Sequence, residues 1–420
     1  MKYSVLVRKM RERIHDFSGK LSTRFSRPKA RFVEEVLYGL TAGRDVKLSS
    51  IGRSLEEDVP LGATEKRLSR NLATEGMDDI LREELLGLGR RRVHKDTLVV
   101  VDISDIRKPY AAKMEHLARV RDGSTGELVD GYWTLNVVAC EQGESRIVPL
   151  YQKLYSAKAE GFESENAEIL AALDMISEAV GGRGIWVVDR GGDRIKLLRP
   201  MLAEQKRFIV RLRGDRHLLF RGHMRRGREI AQGCPMHYAE HIVKESSEGE
   251  KGHHIQYGYR KVKLPGRDEQ LYMVVVKGFA REPMMLLTNL PMRKRRGTLW
   301  QVVGGYLTRW RIEEAIRFIK QSYNLEDIRV LSYQRLKNLV ALVLAAAYFT
   351  ACYLGYNLHA AVLARCAIKA SRRLFGVAPF RYYALADGIA VILAHATCGP
   401  IRTKTTPHNT GLSQMELQLQ

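Results

Sequence analysis

Cysteine is scarce and unpaired in this chain. There are five in 420 residues (Cys140, Cys234, Cys352, Cys366 and Cys398), and no two form a CxxC pair. That spacing excludes a zinc ribbon and a disulfide scaffold, and it points to a reducing compartment. Acid is also short: 47 Asp and Glu stand against 69 Lys and Arg, for a net charge of +22. Such an excess is a poor fit to a neutral substrate, so a carbohydrate hydrolase with paired carboxylates is disfavoured. The opening residues, MKYSVLVRKMRERIHDF, contain no apolar h-region, and no signal peptide is expected. Internal repeats and low-complexity tracts are lacking. Long apolar runs are limited to LVALVLAAAYFTACYLGY at 339–356. It has Thr, Tyr and Cys inside and barely reaches spanning length, so a buried helix is expected and no membrane partner.

What is present is an ordinary apolar content of 45%, enough for a sizeable core and for two or three domains. The positive charge points to a polyanion, most simply nucleic acid. Residues 1–92 read as a basic arm followed by short helices. LSSIGRSLEE starts with a Ser cap, and the basic ATEKRLSRNLA follows after DVPLG; the pair is similar to a helix-turn-helix. A different texture begins at Thr97. TLVVVDISDI, GYWTLNVVACEQG and SRIVPLYQKLYS read as strands, ESENAEILAALDMISEAVGG as a helix closed by glycines, GIWVVDRGGDR as a strand and turn, then a further helix and the strand KRFIVRLRG. This order predicts a mixed α/β sheet. Residues 213–290 are read as a separate β-rich insertion; the Arg-rich stretch RLRGDRHLLFRGHMRRGREI (211–230) leads into it, its Arg run on the side of any DNA. MRKRRG (292–297) reads as a short loop or arm. From 331 to 402 the chain reads as helical, and 403–420 as a disordered tail.

Three carboxylates stand out. Asp102 ends the run LVVVD and Asp189 ends IWVVD; acids at the ends of neighbouring strands converge at one sheet edge. The segment YLTRWRIEEAIRFIK supplies a third, Glu313. From Tyr306 the offsets to Arg309, Glu313 and Lys320 are 3, 7 and 14. On one helix these four side chains fall within an arc of roughly 60°, with Ile312, Ala315, Ile316 and Ile319 beside them facing a core. Three such acids can bind two divalent ions for an in-line displacement at phosphorus, with Mg²⁺ the best match to all-oxygen ligands and Mn²⁺ a usual substitute. Asp105 rivals Asp102, although strand alternation turns it to the opposite face. Asp193 reads as a helix cap and Glu314 as a surface acid.

VVVDIS, VVDRGGDR and YLTRWRIEEAIRFIK together resemble the three blocks of bacterial insertion-sequence transposases of the DDE type, in the group with the Tyr-Arg-Glu-Lys signature. The third block fits Y-x2-R-x3-E-x6-K without a gap, and the resemblance spans roughly residues 97–325. The first block departs from relatives that follow the Asp with a hydroxyl pair; here Ile103, Ser104 and Asp105 follow. The resemblance implies an RNase H-like catalytic domain at 93–330 with a β-strand insertion. It implies Asp102, Asp189 and Glu313 as ligands of two Mg²⁺ or Mn²⁺ ions, and Tyr306, Arg309 and Lys320 gripping transposon-end phosphates. Arg190 and Arg211 sit where relatives carry DNA-binding basic residues. Implied partners are double-stranded DNA, as inverted-repeat ends and target, and a second copy of the chain in the DNA complex. The implied location is the bacterial cytoplasm, at the nucleoid.

The leading expectation is therefore a transposase that cleaves at transposon ends and joins them to target DNA. The alternatives are an RNase H-like nuclease or domesticated transposase that cuts without joining, and a DNA-binding protein without catalysis. Intact acids in all three blocks speak against the last.

Overall fold

The computed structural model describes residues 3–246, 249–292, 296–354, 361–371 and 381–401. Five helices open the chain: α1 (Tyr3–Leu21), α2 (Arg27–Gly43), α3 (Leu48–Ser54), α4 (Leu61–Leu72) and α5 (Met77–Gly89). In α1 the buried residues Met10, Ile14, Phe17 and Leu21 recur at helical spacing and form one apolar stripe. The expected Ser cap of α3 is not there. The helix starts at Leu48, and Asp45 organises the entry by accepting from the Lys47 N–H (3.0 Å) and the Ser50 hydroxyl (2.9 Å). In the basic α4, Arg67 pairs with Glu57 (2.8 Å) and with the buried Glu35 of α2. That cation is committed to holding helices together.

The sheet follows: β1 (Leu98–Arg107), β2 (Ala118–Arg121), β3 (Leu128–Cys140), β4 (Ile147–Tyr155), then helix α6 (Glu165–Val180), β5 (Ile185–Val188), α7 (Ile195–Ala203) and β6 (Phe208–Arg211). Ser164 caps α6 by accepting from the Ala167 N–H at 3.2 Å, and Gly181, at φ 62°, ends it in the left-handed conformation. The strands run in the order β4-β3-β1-β5-β6. β1, β3 and β4 are antiparallel, while β5 is parallel to β1 and β6 to β5. This is the RNase H-like mixed sheet expected from the sequence. β2 is an additional short strand on the far end of β3.

The insertion departs from expectation. It contains β7 (His217–Phe220), β8 (His223–Arg226), α8 (Gly227–Gln232), β9 (Tyr238–Ser246), β10 (Gly249–Val262), β11 (Leu271–Lys277) and β12 (Met284–Thr288). β12 pairs antiparallel with β6, and β11, β10 and β9 continue outward, so these strands extend the main sheet into ten strands rather than forming a separate unit. The reason is that β6 would otherwise present an unpaired edge, and β12, buried at every residue, supplies the partner. Only β7 and β8 make a second, two-stranded sheet. The Arg-rich run is split in use. Arg216 donates to the buried Asp193 at 2.7 Å, whereas Arg221, Arg225, Arg226 and Arg228 are exposed.

The rest is helical: α9 (Arg296–Leu307), α10 (Trp310–Ser322), α11 (Tyr333–Tyr348), α12 (Ala361–Ala370) and α13 (Tyr382–Leu393). α11 continues through a π-turn to Leu354, and this Tyr333–Leu354 helix is apolar and long enough to cross a membrane. Yet 89% of its apolar window is buried, and it packs on β4, α5 and α2. It is the core helix expected, apolar all round because it is covered all round. Residues 293–295 of the MRKRRG run and the 403–420 tail lie outside the described residues.

Candidate active site

Asp102 was expected to end its strand but lies within β1, which runs on to Arg107; Asp189 does follow the end of β5, and the sheet register brings the two acids together. Val101 of β1 lies beside Val188 of the parallel β5, so Asp102 and Asp189 leave the same sheet edge next to each other. Leu98–Val101 and Ile185–Val188 are buried throughout, which fixes that register through the core. After Asp189 the chain turns sharply through Arg190–Gly192. The Asp189 carboxylate accepts from the Gly191 N–H at 2.7 Å. A Cβ on Gly192 would come within 2.3 Å of Val188, so this turn needs a glycine there.

Glu313 arrives on α10, which packs across β1 and β3 by Ile312, Ala315, Phe318 and Ile319. Here the sequence reading of one helix from Tyr306 to Lys320 is corrected. α9 ends at Leu307 and α10 begins at Trp310. At the break Thr308 donates its hydroxyl to the Gly304 carbonyl (2.8 Å), and the Arg309 N–H turns back to Tyr306 O (3.0 Å). Arg309 is thereby placed at the junction, with its guanidinium carbon 5.9 Å from the Tyr306 ring centre.

Asp102, Asp189, Arg309, Glu313, Arg317 and Lys320 line one open cleft of about 780 Å³. Arg309 is its hub. It lies 3.5 Å from Asp102 and 2.5 Å from Glu313. Burial foremost pushes the Asp102 carboxyl up to about 7; Asp189 and Glu313 add to this, and Arg309 and the Ile103 N–H oppose it. Burial weakens the Arg309 charge, but Tyr306, Asp102, Glu313 and Asp189 together raise its pKa above the usual value. Asp102 thus feels both other acids, and Arg309 pairs with two of the three, Asp102 and Glu313.

Among the described residues no three His, Cys, Asp or Glu side chains are gathered closely enough to hold a metal ion. Like charges separate without a cation between them, and Arg309 occupies that role for Asp102 and Glu313. The donor set nonetheless suits a hard divalent ion. All donors are carboxylate oxygens, and they line one cleft.

Other expected residues fall less uniformly. Tyr306 is buried, behind Arg309, and does not line the cleft. Arg190 is exposed and Arg211 half-buried; neither lines it. Lys320 reaches Asp105 (3.5 Å) and Glu326 (3.1 Å). Asp105 was expected on the opposite face, but it lines the same cleft and also accepts from the Gly123 N–H at 3.3 Å. β5 pairs with β1 only up to Val101, so from Asp102 onward that side of β1 has no β5 neighbour and opens on the cleft. Asp193 is not a helix cap: Arg194 holds that position, and Asp193 accepts from the Arg213 N–H (2.8 Å) and Arg216. Sequence reasoning missed Arg317, which follows Glu313 by one helical turn and is exposed. It also missed the Glu326 turn, which the buried Lys108 pins by donating to Ile328 O at 2.8 Å.

Residues 155–349 match the family model described as the transposase DDE domain. This supports a DDE-type transposase. The matched span is just under half the chain; it includes Asp189, Arg309, Glu313 and Lys320 and begins after Asp102. Comparison with curated proteins gave no match. Among solved structures, the chain is similar to the piggyBac transposase in its synaptic complex with hairpin DNA. Identity is 10% and the TM-score 0.46, over 92% of this chain and 78% of that one.

Proposed function

We propose that this chain is a metal-dependent transposase that cleaves DNA at the ends of its own mobile element and transfers the cut strand into target DNA. The observation that carries the reading is the convergence of Asp102, Asp189 and Glu313 on one cleft bordered by Arg309, Arg317 and Lys320. Asp102, Asp189 and Glu313 are the residues that would hold Mg²⁺ or Mn²⁺, as two ions. Bound there, the ions supply an activated water or 3′-hydroxyl and stabilise the leaving oxygen of an in-line displacement.

The protein's own groups have separate tasks. Arg309 neutralises Asp102 and Glu313 while the cleft is empty and pairs with a phosphate when DNA fills it. Tyr306 positions Arg309 from behind. Lys320 and Arg317 draw the scissile strand along α10, and Arg190 and Arg211 hold flanking phosphates. Residues 1–92 bind duplex DNA beyond the cleft, and two copies of the chain pair two ends. The chain acts on the bacterial nucleoid, in the cytoplasm.

The test is incubation of purified protein with a labelled inverted-repeat end and Mg²⁺. Nicks, hairpins or joined products are the expected result. Cutting without joining would favour the nuclease alternative, and no cutting under any divalent ion would remove the enzymatic reading. Arg317→Ala gives a second check. Arg317 makes no hydrogen bond or ion pair among the described residues, so its charge is free for one phosphate. The slope of log affinity against log salt should fall by about 0.9. An unchanged slope would return Arg317 to the solvated face of α10.

A further inference from the structure

A second cavity, of about 960 Å³, shares no lining residue with the carboxylate cleft. It lies between the β7–β8 hairpin and β10. Leu219 and Lys263 exchange backbone hydrogen bonds of 2.9 and 3.0 Å, which lays the hairpin over the end of β10. β9 stops pairing with β10 at Tyr238, opposite Tyr257. Pro235 then crosses Gly258 so closely that a Cβ there would meet the Pro235 carbonyl at 1.9 Å. Past that crossing the β9 side of β10 is open, and the cavity forms on it.

Its lining has an unusual chemistry. Phe220, Tyr238 and Tyr259 present rings, and Arg221, Arg260, Lys261 and Lys263 present cations. No Asp or Glu lines it. Two guanidinium carbons stand 5.3 Å (Arg221) and 5.8 Å (Arg260) from the Phe220 ring centre. Lys263 has the exposed Asp268 at 3.5 Å, and Arg260 donates to the Gly233 carbonyl. The hairpin turn is also informative. Arg221 and Gly222 have φ of 51° and 81°, the pattern of a type I′ turn. Asn or Gly would fit the first position with less strain, yet a cation stands there and lines the cavity.

Cations gathered without acids repel one another. An anion that also offers flat faces would relieve the repulsion and cover the rings. Single-stranded nucleic acid has both: bases for Phe220 and Tyr259, phosphates for Arg221 and Lys261. A duplex keeps its base faces stacked inside and cannot use the rings. We propose that this pocket binds a single-stranded stretch of DNA, at a site distinct from the carboxylate cleft. The choice of DNA over RNA rests on the function proposed above.

The experiment measures binding of fluorescent oligo-dT, and of a duplex of equal length, to the full chain in EDTA. Two variants are compared with wild type. Arg221→Asn removes the cation and leaves an Asn-Gly pair, which suits a type I′ turn, so the hairpin is kept. Tyr259→Leu removes a ring and retains an apolar side chain. Tyr259→Leu should weaken oligo-dT binding roughly tenfold. Arg221→Asn should lower the single-strand salt slope by about 0.7. Duplex affinity should hold in both, with melting temperatures as in wild type. Wild-type-like oligo-dT binding by both variants would overturn the pocket, as would a wild type that ignores oligo-dT. These results are separable from catalysis. A chain that cleaves but does not bind oligo-dT sinks only this inference. One that binds oligo-dT through Tyr259 and Arg221 but never cleaves sinks only the catalytic reading.

Discussion

Asp102→Asn and Glu313→Gln each abolish end cleavage while duplex affinity stays near that of wild type. Both changes preserve side-chain volume and remove one negative charge from the cleft. In the proposed function the acids hold ions and touch no phosphate, so binding is spared. Losing one ligand forfeits several kcal/mol of transition-state stabilisation, a fall of roughly a thousandfold in rate. Single-turnover cleavage in Mg²⁺ reads the loss, and a gel-shift titration reads affinity. Asp105→Asn is the informative control. Its carboxylate is occupied with Lys320 and the Gly123 N–H, so cleavage should survive. An active Asp102→Asn beside a dead Asp105→Asn would move the first ligand three residues along the strand.

Arg309→Met lowers the stability of the metal-free protein, and Mg²⁺ restores it. Arg309 is the cation shared by Asp102 and Glu313. Removing it leaves Asp102 half-buried beside two other acids. Breaking a fully buried pair costs about 3–5 kcal/mol. The Arg309 and Asp102 side chains keep 17% and 22% exposure, so about 2 kcal/mol is the reasonable size, a few degrees in melting temperature. An ion held by the same carboxylates replaces the missing charge, so the variant should gain more from Mg²⁺ than wild type does. Equal melting of the two proteins with and without Mg²⁺ would mean that the acids neither need nor bind a cation.

Much of this site is legible in the sequence, because the signals are local. LVVV and IWVV are buried strand runs, and the acid that follows each marks where the pairing of β1 with β5 stops. Glu313, Arg309 and Lys320 share a stripe whose neighbours are apolar. The illegible parts depend on distant partners or on signals without a breaker. Thr308 and Arg309 interrupt the helix with neither Gly nor Pro; the break shows in the Thr308 hydroxyl bond to Gly304 O and the Arg309 N–H bond to Tyr306 O. Asp193 sits where a cap belongs, and its true partner, Arg216, comes 23 residues later. Alternation placed Asp105 on the wrong side because it does not register that β5 stops pairing with β1 at Val101. The insertion strands showed their apolar pattern, but no local pattern says which free edge a strand will join. β12 joined β6, and the sheet became continuous.

The central claim is that Asp102, Asp189 and Glu313 share divalent metal. The most direct measurement is anomalous diffraction at the manganese edge from crystals of the full chain with a transposon-end duplex and Mn²⁺. The account predicts anomalous peaks bounded by the carboxylates of Asp102, Asp189 and Glu313, with Arg309 no longer paired to Asp102. Manganese bound instead at Asp105 and Glu326, or no manganese in the cleft while Arg309 still bridges Asp102 and Glu313, would contradict it.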